Sequence, residues 1–129
     1  MGAEIQESDL KLSQKTKIST PKLHEVQAWY QRLFNMVVVE EWDDAGDKGV
    51  ILAFADGHNE ALLEIYDTDV IHDFSGLSLQ YRAEPLDDFI RGLPDDIQPE
   101  DLKDRPWGAR YLYLRDPLGI QVIVYECCW

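Results

Sequence analysis

Near the end of the chain stands Arg105-Pro106-Trp107-Gly108-Ala109-Arg110-Tyr111-Leu112-Tyr113-Leu114-Arg115-Asp116-Pro117-Leu118-Gly119-Ile120-Gln121-Val122-Ile123-Val124-Tyr125-Glu126. Its middle, Asp116-Pro117-Leu118-Gly119, puts each residue type where a tight turn favours it: Asp first, Pro second, Gly fourth. The flanks, Ala109 to Arg115 and Ile120 to Glu126, read as two strands, so the segment is a hairpin.

Working backwards, Pro94 to Asp104 is polar and reads as a loop holding at most a short strand. Glu84-Pro85 opens a helix that runs to about Gly92, with Leu86, Phe89, Ile90 and Leu93 on one side. In Gly76 to Arg82, Leu77, Leu79 and Tyr81 alternate with Ser78 and Gln80, which is strand spacing. This half is therefore strand, helix, then two or three strands.

The first half repeats the order. Leu10, Leu12, Thr16 and Ile18 share one parity in a predicted strand over Asp9 to Ser19, weakened by Gln14. Thr20-Pro21 predicts an N-cap followed by proline at the first helical position. Leu23, Val26, Tyr30, Leu33 and Phe34 recur at helical spacing. Strands follow over Met36 to Trp42, Gly49 to Ala55 and Glu60 to Tyr66, separated by turns at Asp43 to Asp47 and Asp56 to Asn59. One constant offset pairs Leu23 with Leu86, Val26 with Phe89 and Tyr30 with Leu93. Each half alone would leave a sheet face open, so two halves are expected to pack together.

Composition narrows the function. The chain has 129 residues, 45% hydrophobic, enough for a packed interior. Its formal charge is −13, from 25 acids against 12 bases. Such a surface repels phosphate backbones, so nucleic acid and anionic membranes are disfavoured. It suits either plain solubility or a cationic ligand. The apolar runs are far shorter than the roughly 20 residues of a membrane helix. Met1 to Asp9 shows no secretory pattern and neither end fits a lipidation motif, so the cytoplasm is the expected compartment. Residues 1–8 read as a loose tail. Cys127 and Cys128 are adjacent, point to opposite faces of a strand and suit no structural bridge.

The Pro-Trp-Gly at Pro106 to Gly108, followed by the Asp-Pro-x-Gly turn, resembles the last hairpin of the vicinal-oxygen-chelate proteins, the glyoxalase, bleomycin-resistance and extradiol dioxygenase superfamily. The helix Val26-Gln27-Ala28-Trp29-Tyr30-Gln31-Arg32-Leu33-Phe34 resembles their first helix, and the likeness extends over about residues 10 to 126. It implies an α+β fold of two βαβββ modules, about 9–67 and 75–126, in one domain over 9–129. Their curved mixed sheet would surround a cleft, and the chain would form a homodimer.

Enzymes of that superfamily hold a divalent metal at four inward positions, normally His or Glu. By resemblance these fall at or near Lys15, Glu64, Ser78 and Ile123. Lysine is a cation at neutral pH and isoleucine has no donor, so no metal and no cofactor are expected. His24 on the helix and His58 and His72 in turns read as surface histidines rather than ligands.

Strand parity then predicts a cleft lined by Lys15, Lys17, Trp42, Leu62, Glu64 and Tyr66 from the first half. The second half would add Ser78, Gln80, Gln121, Ile123 and Tyr125. Of these, Lys15, Trp42, Glu64, Tyr66, Ser78, Gln80, Gln121 and Tyr125 are the candidate ligand-binding residues. Glu64 is also the candidate catalytic residue, as a general base, unless it pairs with Lys15 across the sheet. Trp42 and Trp107 could stack on a planar ligand or hold a cation through their ring faces, or fill the core or brace a strand; Trp107 reads rather as the latter, and Tyr111 and Tyr113 as sheet packing and surface.

Two functions follow from the resemblance. One is a metal-independent protein that binds a cationic or aromatic small molecule. The other is a lyase, isomerase or dioxygenase-like enzyme using acid–base chemistry, with Lys15 or Tyr66 assisting Glu64, or a divalent metal on ligands outside the alignment.

Overall fold

The computed structural model describes residues 10–57 and 60–128. The expected tail at 1–8, and His58, lie outside them. The chain runs β1 (Gln14–Thr20), α1 (Leu23–Phe34), β2 (Met36–Asp44), β3 (Asp47–Phe54), β4 (Ala61–Asp67). It continues β5 (Ser78–Arg82), α2 (Leu86–Arg91), β6 (Asp101–Asp104), β7 (Arg110–Arg115) and β8 (Gln121–Glu126). The class is α+β, and the order βαβββ occurs twice.

Each set of four strands makes its own mixed sheet, ordered β1-β4-β3-β2 and β5-β8-β7-β6. In both, the first strand lies parallel to the last and the other pairings are antiparallel. The registers correspond as well: Lys15 lies opposite Leu62 and Lys17 opposite Glu64, as Ser78 lies opposite Gln121 and Gln80 opposite Ile123. The repetition is therefore one of strand register, which sets which side chains share a face. The chain divides into two compact units, β1–β4 falling in one and β5–β8 with α2 in the other.

Within the first unit, one face of the sheet supplies buried apolar residues. Ile18, Val50, Leu52, Leu63 and Ile65 are nearly inaccessible. Asp44-Ala45-Gly46-Asp47 joins β2 to β3, and both central residues have positive φ, 51° and 92°. That geometry matches the right-handed twist of a two-residue hairpin, and glycine adopts it without a Cβ clash.

The second unit buries Val122, Val124, Leu112 and Leu114 on one sheet face. Helix α2 is tied to β8 by the Leu86 amide, which donates to Glu126 Oε1 at 2.9 Å. A carboxylate there satisfies a helix N-terminal N–H and faces the positive end of the helix. The β7–β8 turn is organised by Asp116, only 5% exposed. Its Oδ1 accepts from the Leu118 amide at 2.8 Å and the Ile120 amide at 2.9 Å, and the Gly119 amide donates to its carbonyl at 3.0 Å.

Two local expectations change, and a third holds. Thr20 is strand, not helix cap: α1 begins at Leu23 after Lys22, and the Thr20 hydroxyl instead accepts from the Lys22 amide at 3.0 Å. Leu10 and Leu12 are 53% and 81% exposed and precede β1, so their parity with Ile18 had no burial behind it. The polar stretch after Pro94 holds the short strand allowed for it, β6, which pairs with β7. Its four residues are all exposed, so no hydrophobic alternation announces it.

Candidate ligand site

The faces opposite the two buried layers carry the polar side chains. On the first sheet, Lys15 and Lys17 stand beside Glu64 on β4. Glu64 is buried, 7% exposed. Lys15 Nζ lies 2.9 Å from its Oε1 and Lys17 Nζ 3.8 Å from its Oε2. A buried carboxylate needs such partners because leaving it unpaired is costly. Lys17 Nζ also sits 4.3 Å from the centre of the Tyr66 ring.

The next row across this sheet is Tyr66, Gly49 and Trp42. The Trp42 indole covers Gly49 so closely that a Cβ there would meet its Cζ2 at 2.4 Å. Trp42 Nε1 donates to Asp47 Oδ1 at 2.8 Å. The Tyr66 phenol is hydrogen-bonded to Asp47 too, and this bond, with burial and the nearby acids, holds its pKa above the ordinary value. Tyr66 thus stays a neutral donor. Lys15, Lys17, Glu64, Tyr66, Asp47 and Trp42 all have partners within their own face.

The second face is built differently. Gln80, Ile123 and Tyr113 form one row across β5, β8 and β7, and Arg82, Tyr125 and Tyr111 form the next. The β6–β7 connection folds over them. The Arg105 amide donates to the Ala109 carbonyl at 2.7 Å and the Gly108 amide to the Arg105 carbonyl at 3.0 Å. Gly108 takes φ 91°, a conformation that disfavours any side chain. This tight return presents Arg105 and Trp107 to the sheet.

A cavity of about 260 Å³ results, lined by Gln80, Arg105, Trp107, Tyr111, Tyr113 and Ile123. That is slightly below the roughly 300–1,000 Å³ usual for ligand pockets, and the space is open to solvent on one side. Three walls are aromatic. Tyr111 is backed by Tyr125, with ring centres 6.0 Å apart. Trp107 is 57% exposed, so it is not the core brace its motif suggested. Tyr111 and Tyr113 line the cavity rather than merely packing the sheet.

Arg105 is the charged member. Its Nη2 donates to the Tyr113 hydroxyl at 3.3 Å, and its Cζ lies 5.5 Å from the Tyr111 ring centre. Its Nε is buried with no acceptor among the described residues. Leaving a buried polar group unsatisfied typically costs about 1–3 kcal/mol. The Ser78 hydroxyl on the same sheet is likewise buried without a partner.

The predicted ligand-binding residues thus separate. Lys15, Trp42, Glu64 and Tyr66 lie on the first sheet, engaged with one another or with Asp47. Gln80 lines the cavity of the second. Ser78, Gln121 and Tyr125 share its sheet face. Sequence reasoning missed three lining residues, Arg105, Tyr111 and Tyr113, and preferred a structural reading of a fourth, Trp107. For the tyrosines the signal existed. A hairpin closed at Asp116–Gly119 sets Tyr113 opposite Ile123 and Tyr111 opposite Tyr125, so inward Ile123 and Tyr125 imply inward tyrosines. Arg105 sits in a turn, where no periodicity reports facing.

No family model matches the sequence, and no curated protein matches it. Solved structures do. A fosfomycin resistance protein, FosX, from Listeria monocytogenes superposes with a TM-score of 0.71 at 14% identity, covering 92% of this chain and 94% of that one. TnmS3, an antibiotic binding protein from Streptomyces sp. CB03234, gives 0.71 at 15% identity, covering 92% and 98%. A lactoylglutathione lyase from Agrobacterium tumefaciens gives 0.66 at 18% identity, covering 87% and 90%.

The chain has the vicinal-oxygen-chelate fold.

The metal that this fold often carries does not suit the residues present. The positions that the resemblance implies fall at or near Lys15, Glu64, Ser78 and Ile123. Lys15 and Lys17 both lie against the one carboxylate, and Ile123 has no lone pair to give. Among the described residues, no group of three or more His, Cys, Asp or Glu converges. His24 and His72 are exposed. Cys127 is buried, Cys128 exposed, and neither forms a disulfide. Among the described residues, no helix is long and apolar enough to cross a membrane.

Proposed function

We propose that this chain is a metal-independent small-molecule-binding protein of the glyoxalase and bleomycin-resistance type, a cytoplasmic homodimer that takes a compact aromatic compound. The observation that carries the reading is the cavity walled by Trp107, Tyr111 and Tyr113, with Gln80 and Arg105 as its polar groups. Large rigid rings around a few polar handles are the usual makeup of a ligand pocket. Ring faces offer stacking with little entropy lost on binding. TnmS3, of the same fold, is described as an antibiotic binding protein.

The enzyme reading rests on Glu64 as a base. Two lysines stand against that carboxylate, and the Tyr66 phenol is held by Asp47. These pairings favour a structural role, and no second observation favours catalysis.

The test is a thermal-shift screen of one- and two-ring aromatic compounds on protein treated with EDTA and dialysed. At 100 times its dissociation constant a ligand adds about 2.7 kcal/mol, a shift of several degrees for a domain of this size. The expected hits persist after chelation and weaken in Trp107→Ala and Tyr111→Ala. Hits that vanish with EDTA and return with Zn²⁺ or Mn²⁺, alongside about one metal per chain by elemental analysis, would overturn the reading.

A further inference from the structure

Arg105 stands apart from the other arginines of its unit. Arg82 reaches Glu84, Arg91 reaches Asp88, Arg110 reaches Asp87 and Asp104, and Arg115 reaches Glu100. Among the described residues Arg105 has no carboxylate partner. Its contacts are a neutral phenol and an aromatic face. In a chain with 25 acids and 12 bases, an arginine spared from pairing is the exception. No acidic residue lines the cavity that it faces.

A guanidinium on a ring face beside a phenol, partly withdrawn from water, keeps its full charge and most of its donors. It is short of acceptors, as the orphaned Nε shows. The bulk charge of −13 argues for a cation only at long range, and salt screens that field within about 8 Å at physiological ionic strength. Inside the cavity the nearest lining charge decides, and it is positive.

We infer that the ligand is a planar aromatic acid: its ring stacks against Trp107 and Tyr111, and its carboxylate supplies the counter-charge that Arg105 lacks. This rests on the cavity being the binding site. Arg105 then selects the charge of the compound, Gln80 offers an amide to a second polar substituent, and Ile123 closes the apolar floor. The acid excess elsewhere on the chain slows the approach of such an anion without altering the contacts it makes inside.

Three probes of one shape but different charge at neutral pH test this: 2-naphthoate, 2-naphthamide and 2-naphthylmethylammonium, titrated by calorimetry into the full chain. Wild type is expected to bind the carboxylate about tenfold or more tightly than the amide, and the ammonium least, since a charge-assisted pair is roughly twice as strong as a neutral one. Arg105→Gln should remove the preference, bringing the carboxylate and the amide to similar affinities. Arg105→Lys should keep part of it. Lysine preserves charge but not the planar fork, and it checks that any loss in Arg105→Gln is not misfolding. Trp107→Ala should weaken all three probes by a similar factor.

An ammonium that binds as well as the carboxylate, or a carboxylate preference that survives in Arg105→Gln, overturns the acid assignment and leaves the aromatic cavity standing. Failure of every probe to bind wild type overturns both.

Discussion

The two sheets share a topology and a register, yet their polar faces have opposite states. In the first, Glu64 lies between Lys15 and Lys17, and Asp47 receives both Trp42 and Tyr66, so charges and donors are matched internally. In the second, the two buried side-chain atoms without partners among the described residues, Ser78 Oγ and Arg105 Nε, belong to one unit, and Arg105 lines its cavity. Equivalent positions explain the contrast. Lys17 opposite Glu64 becomes Gln80 opposite Ile123, which removes an ion pair and leaves space. The shorter ion-pair partner, Lys15, is likewise replaced by Ser78, so three exchanged positions separate the two faces.

The comparison can be broken in several ways. The largest effect is expected where the open face is held in shape. Asp116→Ala removes an acceptor from two backbone amides, one of them buried, and should cost about 3 kcal/mol in urea unfolding, with probe binding lost in parallel. A loss under about 1 kcal/mol would mean that the turn stands without this carboxylate.

Charge deletion should then separate the faces. Lys15→Met leaves buried Glu64 with only the more distant Lys17 and is expected to cost about 1–2 kcal/mol, discounted because the lysine is partly exposed. Arg105→Met deletes an under-satisfied charge and should change stability by no more than about 0.5 kcal/mol. If both cost the same by chemical denaturation, the two faces are not opposites.

A smaller effect is expected at Gly49→Ala, where the new Cβ would meet the Trp42 ring. The indole must move and give up Asp47, for about 1 kcal/mol in strain and a lost hydrogen bond. A change in tryptophan emission would report the displacement; an unchanged spectrum and stability would show that Trp42 is not held there.

The smallest effect is absent at neutral pH. Burial first, and then the charge of Asp116, pushes the Tyr81 phenol up. Since its folded value lies above its unfolded one, the stabilisation is complete below the unfolded value of about 10 and is lost as pH rises beyond it. Denaturation midpoints should therefore fall from about pH 9 to pH 11, and less steeply in Tyr81→Phe. Identical slopes in the two proteins would remove Tyr81 as the cause.

Much of this architecture was legible in residue order. The turn at Asp116–Gly119 and the repeated strand–helix–strand pattern were enough for the fold, because turn chemistry and hydrophobic period are local properties. The ion pair of Glu64 with Lys15 could be foreseen as one of two alternatives, since parity put them on one face. Strand β6 was obscured because all four of its residues are exposed, and Leu10 and Leu12 misled because alternation alone does not bury a side chain.

By itself, then, the sequence determined the repeated order of most elements and the turn that closes the last hairpin, which follow from spacing and turn chemistry along the chain. Only the tertiary structure decided that Arg105 has no carboxylate partner among the described residues while its neighbouring arginines do, and that Trp107 and two tyrosines wall a cavity around it. Those facts depend on how a glycine turn brings a loop back over a sheet, and neither composition nor period records the distance between residues brought together in that way.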